Sequence, residues 1–543
     1  MKSTTPTVYR HLTADQRATL APYFSSIDGR VTALRNMPPV VAGALFSRLS
    51  RSTKDVVQLF QEEFLLNPDL ALPSCDRDLP LTIDVQRAEA FYDRLILGYG
   101  DDSCAELVGA HIAITGLSVV AIKQIESTRI GLSYLETSSR YRMFDQRVDG
   151  RWPYVRPAEF GGAAMRVYER IMDRLFATYS ALIEPLTADL MKLYPAAEGS
   201  SDKAHAAAIR AKAADVLRAL LPIGHTSSLG IYGNGRAFEY LLLKMASSEL
   251  AEVRDLEREL YDALMQVIPN FVKRAHTDRG VAYNGYLSGV RRDVRQRARL
   301  AGLQPLGSLQ HGVVLVHSDP DAENKVAAGV LYGDGQRPLA ELEAYVRRLP
   351  MESRNAILRD GVSGRANRYQ RVPRAFERAE YDLEITANWG VFKDLARHRM
   401  ETPFTCLLTP LHGYQIPDEL VGTHYEGIVS GALDEVTPAW MVLNEVAPVA
   451  AQYCVPMAMK FRYSIHTNLR QLSHLVELRS TIQGHRDYRA IAHDITRELR
   501  AVHPTIGALA TEFVDFSEVD LPRLQSEVRA EQKRRLIATD NAA

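Results

Sequence analysis

The chain has 543 residues, 46% hydrophobic and 24% charged, with a formal net charge of -1. That length exceeds what one hydrophobic core fills, so at least two domains are expected. The balanced charge excludes a global field for nucleic acid or an anionic membrane surface. Cys75, Cys104, Cys406 and Cys454 show neither CxxC nor Cys/His ligand spacing, which argues against a metal site and a disulfide framework and predicts buried, reduced thiols.

The opening segment, MKSTTPTVYRHLTADQR, has no apolar signal core. From Pro38, PPVVAGALFSRLSRSTKDVVQLF predicts two amphipathic helices divided by a polar turn. The most apolar run, Ala110 to Ile122, is interrupted by His111, Thr115 and Ser118 and is too short to span a bilayer, so a cytoplasmic location is expected. SYLETSSRY (Ser133 to Tyr141) comes next, then a long helical pattern from Ala163 to Tyr194. From Leu217, a helix stopped by Pro222 gives way to a strand-like segment, and a new helix opens at Asn234-x-Arg236. A further helix with Glu/Arg pairs is expected from Glu249 to Lys273. The stretch Gly280 to Gly312 then loses amphipathic periodicity and marks the expected boundary.

Beyond that boundary, GVVLVHS (Gly312 to Ser318) and EYDLEIT (Glu380 to Thr386) are the clearest strands. The stretch from Glu323, ENKVAAGVLYGDGQRPLAELEAYV, resembles that from Pro38. The stretch from Ala451 resembles that from Leu217, with Pro456 as the stop and Asn468-x-Arg470 as the new helix start. The same landmarks in the same order imply two tandem repeats, residues 1–300 and 310–543, each a helix-dominated α/β (α+β-like) unit.

Three segments carry chemistry. Ser133, Glu136, Ser138, Arg140 and Tyr141, with Arg129 just upstream, concentrate hydroxyls, a carboxylate and guanidiniums suited to a phosphorylated ligand; a solvated Ser/Thr-rich turn explains the same composition. Arg397, His398 and Arg399 in ARHR suit either a helix end or a buried anion such as a reduced flavin. Asn468 suits a helix start, with Arg470 and His474 on one face, Leu469 and Leu472 on an apolar stripe and Arg479 in the last turn; an ordinary amphipathic helix has the same pattern.

Together these residues resemble the flavin-dependent thymidylate synthases. That family's central motif runs Arg-His-Arg, two residues, Ser, one residue, Asn-Glu, one residue, Ser, one residue, Arg-Tyr, and a downstream helix has the form Asn-x-Arg-x-Leu. In the first repeat Ser133, Glu136, Ser138, Arg140 and Tyr141 match the later part of the motif, while Thr128, Arg129 and Ile130 stand at its Arg-His-Arg. In the second, Arg397, His398 and Arg399 match, while Thr405, Leu407 and Thr409-Pro410 stand at the Glu, second Ser and Arg-Tyr. Arg218 matches a nucleotide-contacting arginine that is Gln452 in the second repeat; Arg479 matches a substrate arginine that is Met245 in the first. Asn234 and Arg236 survive alongside Asn468 and Arg470, so the division is incomplete. A family histidine that helps hold FAD corresponds to Asp101.

The resemblance implies FAD-dependent reductive C5 methylation of dUMP to dTMP, with methylenetetrahydrofolate and NADPH as co-substrates, at one composite site. It implies Glu136, Ser138, Arg140, Tyr141, Arg218, Arg397 and Arg479 around the nucleotide, with Arg479 and Ser138 as the catalytic pair. Arg397, His398, Arg399, Asn468, Arg470 and His474 would hold FAD, no metal would be needed, and a homodimer would stand in for the family's tetramer. The same side chains would also suit C5 alkylation or hydroxymethylation of another pyrimidine nucleotide, or a non-catalytic flavin- or nucleotide-binding protein.

Overall fold

The structure, a computed structural model, describes residues 12–28, 31–37, 39–49, 52, 54–62, 105–139, 142–196, 201–303 and 307–518. Among them, β1 (Gly109–Ser118), β2 (Leu132–Glu136) and β3 (Thr226–Asn234) form a sheet in the order β1-β3-β2. A second sheet joins β4 (Gly312–Ser318), β5 (Glu380–Asn388), β6 (Thr402–Thr405) and β7 (Lys460–Asn468) in the order β4-β5-β7-β6. Without edge strand β4, the two orders are the same: first, third, second.

Six helices position the functional side chains or the sheets that carry them: α1 (Val119–Glu126), α2 (Gly162–Leu193), α3 (Gly235–Ala246), α4 (Trp389–Leu395), α5 (Leu469–Arg479) and α6 (Arg486–Val502). β1 runs directly into α1 and β5 into α4. β3 and β7 each end on an asparagine that caps the next helix: Asn234 accepts from the Ala237 amide at 2.8 Å, and Asn468 from the Gln471 amide at 3.0 Å. Asx side chains suit this place because they satisfy amides that the first helical turn leaves unpaired. The repeated Asn-x-Arg signature is therefore in part a capping signature.

β7 pairs antiparallel with β5, setting Ile385 opposite Tyr463, and with β6, setting Phe404 opposite Ser464. Alternation decides the faces: Tyr381, Leu383 and Ile385 on β5, and Phe461, Tyr463 and Ile465 on β7, are buried. Each such large apolar side chain contributes about 1.5–3 kcal/mol of transfer free energy before the cost of ordering the chain.

The chain divides into two compact units interleaved along the sequence, one of residues 1–114, 127–135 and 229–297, the other of 115–126, 136–228 and 298–543. These units differ from the repeat limits expected from the sequence, 1–300 and 310–543. In the first unit α3 packs on the helix Ala251–Met265, burying Phe238, Leu241, Leu242, Val253 and Leu260. The helical pattern expected from Glu249 to Lys273 is broken after Met265 and restarts at Pro269. The aperiodic stretch from Gly280 is mostly helical, within Asp278–Leu300. Gly280 is that helix's one buried residue; Tyr286, Val290 and Val294, spaced four apart, stay exposed among its arginines.

The second unit holds α2, 32 residues long, which buries Tyr168, Met172, Leu175, Phe176 and Tyr179. It also holds a seam between the landmark prolines, where Pro222 and Pro456 face each other in an antiparallel bridge. Around them the Ile223 amide donates to Val455 at 3.0 Å, Gly224 to Tyr453 at 2.9 Å, Met457 to Leu221 at 3.0 Å and Ala458 to Ala219 at 3.0 Å. Equivalent segments of the two copies thus pair with one another. Gly224 is required by this close approach, since a Cβ there would lie 2.6 Å from the Tyr453 carbonyl oxygen.

Cys454 is buried as expected, but Cys406 is exposed, just past the end of β6, an edge strand among the described residues. Cys75 and Cys104 lie outside the described residues. Among the described residues no helix is long and apolar enough to cross a membrane, and no group of three or more His, Cys, Asp or Glu is arranged to hold a metal ion.

Candidate functional site

Glu136 is the last residue of β2, and its side chain is 1% exposed. Alternation along β2 turns it inward. Three cations converge on it: Lys393 at 2.8 Å and Arg397 at 2.5 Å on Oε1, and Lys123 at 3.5 Å from Oε2. Burial alone would raise this carboxyl, but Lys123, Lys393 and Arg397 overturn that and hold it far below the usual carboxylate range. Arg397 enters from the surface with 40% of its side chain exposed. Lys393 is buried to 4%.

The helices explain how lysines reach this depth. α1 buries Val119, Val120, Ala121, Ile122 and Ile125, and the Lys123 stem joins them while its ammonium donates to Glu126 at 2.5 Å and to the Lys393 carbonyl at 3.2 Å. α4 begins at Asn388, which accepts from the Val391 amide at 3.2 Å. It ends at Ala396, whose amide donates to Phe392 at 2.8 Å, so the Arg-His-Arg run begins where the helix stops. Asp394, next to Lys393 in α4, lies 3.4 Å from Arg218. Burial raises the Asp394 carboxyl, but Arg218, Lys393, Arg397 and Arg479 bring it down to about 2. Arg218 is 4% exposed, and its Nη2 has no hydrogen-bond partner among the described residues.

His398 is buried and accepts at Nε2 from Arg479 Nε at 2.9 Å. His398 Nδ1 lies 3.4 Å from the Gln471 side-chain nitrogen. Burial and then Arg479, His474 and Arg371 hold His398 well below the usual imidazole range. The His474 ring lies 5.6 Å away and is lowered to about 4 by burial, then by Arg371 and Arg479. The Arg479 guanidinium also sits over the Tyr488 ring at 5.5 Å.

The structure therefore brings together Glu136 with Arg397, and His398 with His474 and Arg479; Arg218 joins through Asp394. Ser138 is half-buried two residues beyond Glu136, and its carbonyl accepts from the Arg142 amide at 3.1 Å. Arg399 is exposed. Asn468 is the cap of α5, and Arg470 is engaged by the Val372 carbonyl at 2.9 Å and Glu377 at 3.0 Å. Arg140, Tyr141 and Asp101 lie outside the described residues. Lys123, Lys393 and Asp394 were missed by motif reasoning. The signal was a lysine inside each short apolar helix, five residues before Thr128 and four before Arg397.

Beside Arg218 opens a cavity of about 480 Å³, lined among others by Asn388, Gly390, Gln415, Asp487 and Arg489. The Asn388 amide donates to Gln415 at 3.0 Å and to Asp487.

Residues 69–270, and again 313–505, match the family described as thymidylate synthase complementing protein. The chain belongs to the thymidylate synthase complementing protein family. Its two matched stretches make it a duplicated member of that family. It is similar to a UPF0159 protein of Chlamydia pneumoniae, 39% identical over 522 residues, 96% of this chain and 98% of that protein. It is also similar to a UPF0159 protein of Thermoplasma acidophilum, 30% identical over 524 residues, 90% of this chain and 98% of that protein. Among solved structures, a UMP/dUMP methylase from Streptomyces cacaoi bound with 5-Br dUMP overlaps 39% of this chain and 98% of its own, with 17% identity and a TM-score of 0.31.

Proposed function

We propose that this member of the family converts dUMP to dTMP by reductive methylation at C5, with methylenetetrahydrofolate supplying the carbon and NADPH the electrons. The observation that carries the reading is the Arg397–Glu136 ion pair, which joins the half-motif kept by the second copy to the half-motif kept by the first. A site so built is one site shared by two copies. A cytoplasmic homodimer goes with this reading.

In this reading Glu136, Ser138, Arg140, Tyr141, Arg218, Arg397 and Arg479 surround the nucleotide, the arginines gripping its phosphate through charge-assisted hydrogen bonds. Glu136 remains ionised, so it serves as an acceptor and a fixed charge and not as a general acid. Arg479, braced by His398 on one side and Tyr488 on the other, orients the pyrimidine, and Ser138 completes the catalytic pair. Neither described cysteine is an activated nucleophile. Burial pushes the Cys454 thiol up to about 12, and local desolvation of the sulfur raises Cys406 although the residue as a whole is exposed.

FAD fits the donor set on the second copy. Two neutral imidazoles and the guanidiniums of Arg399 and Arg479 suit an anionic, electron-rich cofactor. Arg397, His398, Arg399 and His474 would hold it, with Asn468 and Arg470 shaping the helix start beneath. Bound FAD would relay the hydride from NADPH.

The test is tritium release from 5-tritiated dUMP by the purified full-length chain, read together with its flavin absorbance. Release that requires NADPH and methylenetetrahydrofolate supports the reading. Nucleotide binding without release would make the chain a binder, and a colourless protein that binds neither ligand would end the proposal.

A further inference from the structure

Glu136 is unusual in how it is held. Two of its cations, Lys393 and Arg397, act on the same oxygen, Oε1. Oε2 is buried and has no hydrogen bond among the described residues, with Lys123 standing off at 3.5 Å. Burying an ammonium costs several kcal/mol, and a fold that needs only packing is served as well or better by apolar side chains of similar volume. Here two lysines, one from each copy, are sunk to 4% and 11% side-chain exposure around one carboxylate. The Lys123 ammonium also donates to the Lys393 backbone carbonyl, so the two helices are fixed to each other at this point.

Each element packed around the carboxylate contributes charge. α1 supplies Lys123 and Glu126; α4 and its end supply Lys393, Asp394 and Arg397; Arg218 faces Asp394, and neutral His225 lies near Lys393 and Glu136. Arg397, partly exposed, is able to swing onto a ligand. Lys393 is not, because it is buried and Glu136 is its one ion-pair partner among the described residues.

We propose that Lys393 is a positioning residue of the composite site: it pins Glu136 Oε1 as a permanent anion, so that Oε2 is held as an unused acceptor for a ligand N–H while Arg397 is released to the ligand's phosphate. This rests on the functional reading above. The ligand class it implies is a pyrimidine nucleotide with a ring N–H and a phosphate monoester. Lys123 holds the opposite edge and keeps the carboxylate from rotating.

The experiment is the pH profile of kcat/KM for dUMP, measured on the full-length chain and on Lys393→Met and Lys393→Arg. With the ammonium gone, burial dominates, Glu136 takes up a proton at higher pH, and the acid limb of the profile moves up by about one to three pH units. At pH 6 the loss is at least about tenfold and recovers as pH rises, whereas Lys393→Arg behaves as the wild type. Should Lys393→Met fail to fold by circular dichroism, Lys393→Gln carries the same readout. A wild-type profile that superimposes on the Met or Gln variant, or a pH-independent loss shared by Lys393→Arg, overturns the assignment while leaving the reaction in place. A wild-type chain that neither binds nor turns over dUMP overturns the functional reading itself, and the assignment with it.

Discussion

Arg397 and Glu136 are 261 residues apart in the chain and 2.5 Å apart in the fold. Each belongs to a half of a motif that the other copy has lost. The buried end of the pair is Glu136, so removing it leaves Lys393 an uncompensated charge in the interior and Lys123 with Glu126 alone. Glu136→Gln is expected to lower unfolding free energy by roughly 3–5 kcal/mol, the usual cost of breaking a buried ionic cluster. Urea denaturation measures it, and a change within about 0.5 kcal/mol would show that the cluster is not a closed electrostatic unit.

Arg397→Ala should behave differently, because 40% of the arginine side chain is exposed. Its expected effect on stability is within about 1 kcal/mol, while turnover of dUMP is abolished. Denaturation and tritium release on one preparation separate the two effects.

Stability should fall as pH drops from about 6.5 toward about 4. In that window unfolded histidines take up protons that His474 refuses until about pH 4 and that His398 also refuses, both held neutral by burial and then by neighbouring arginines. The unfolded state therefore binds more protons, and each histidine contributes a slope of up to about 1.4 kcal/mol per pH unit. Thermal melts across the range should show this slope, and His474→Gln should flatten it.

Gly224→Ala tests the seam between the equivalent segments. The added methyl would meet the Tyr453 carbonyl at 2.6 Å and the Tyr168 hydroxyl at 3.0 Å, and overpacking of this kind costs about 1–3 kcal/mol. An unchanged denaturation midpoint would mean that the Pro222–Pro456 pairing yields readily.

Much of the fold was legible because local rules and tertiary packing agree. EYDLEIT alternates, and β5 buries Tyr381, Leu383 and Ile385; Asn234 and Asn468 announce helix starts, and both are caps. Pro222 and Pro456 stop their segments and are found opposite each other. The helix from Asp278 was not legible: its Tyr286, Val290 and Val294 recur at helical spacing but stay exposed, and its glycines and crowded arginines obscure the period. Nor were Lys123 and Lys393, because a lysine in a short apolar helix has the same local pattern whether its ammonium reaches water or a buried carboxylate 13 or 257 positions away. Arg470 was legible only in part: its guanidinium is engaged by Val372 and Glu377, a partnership that sequence spacing does not reveal.

The proposed pocket is a single site per chain built by both copies. Calorimetric titration of the full-length chain with dUMP, alongside Glu136→Gln and Arg397→Ala, tests it most directly. One nucleotide per wild-type chain, and none for either variant, is expected. Two nucleotides per wild-type chain, with each substitution removing one and sparing the other, would contradict it.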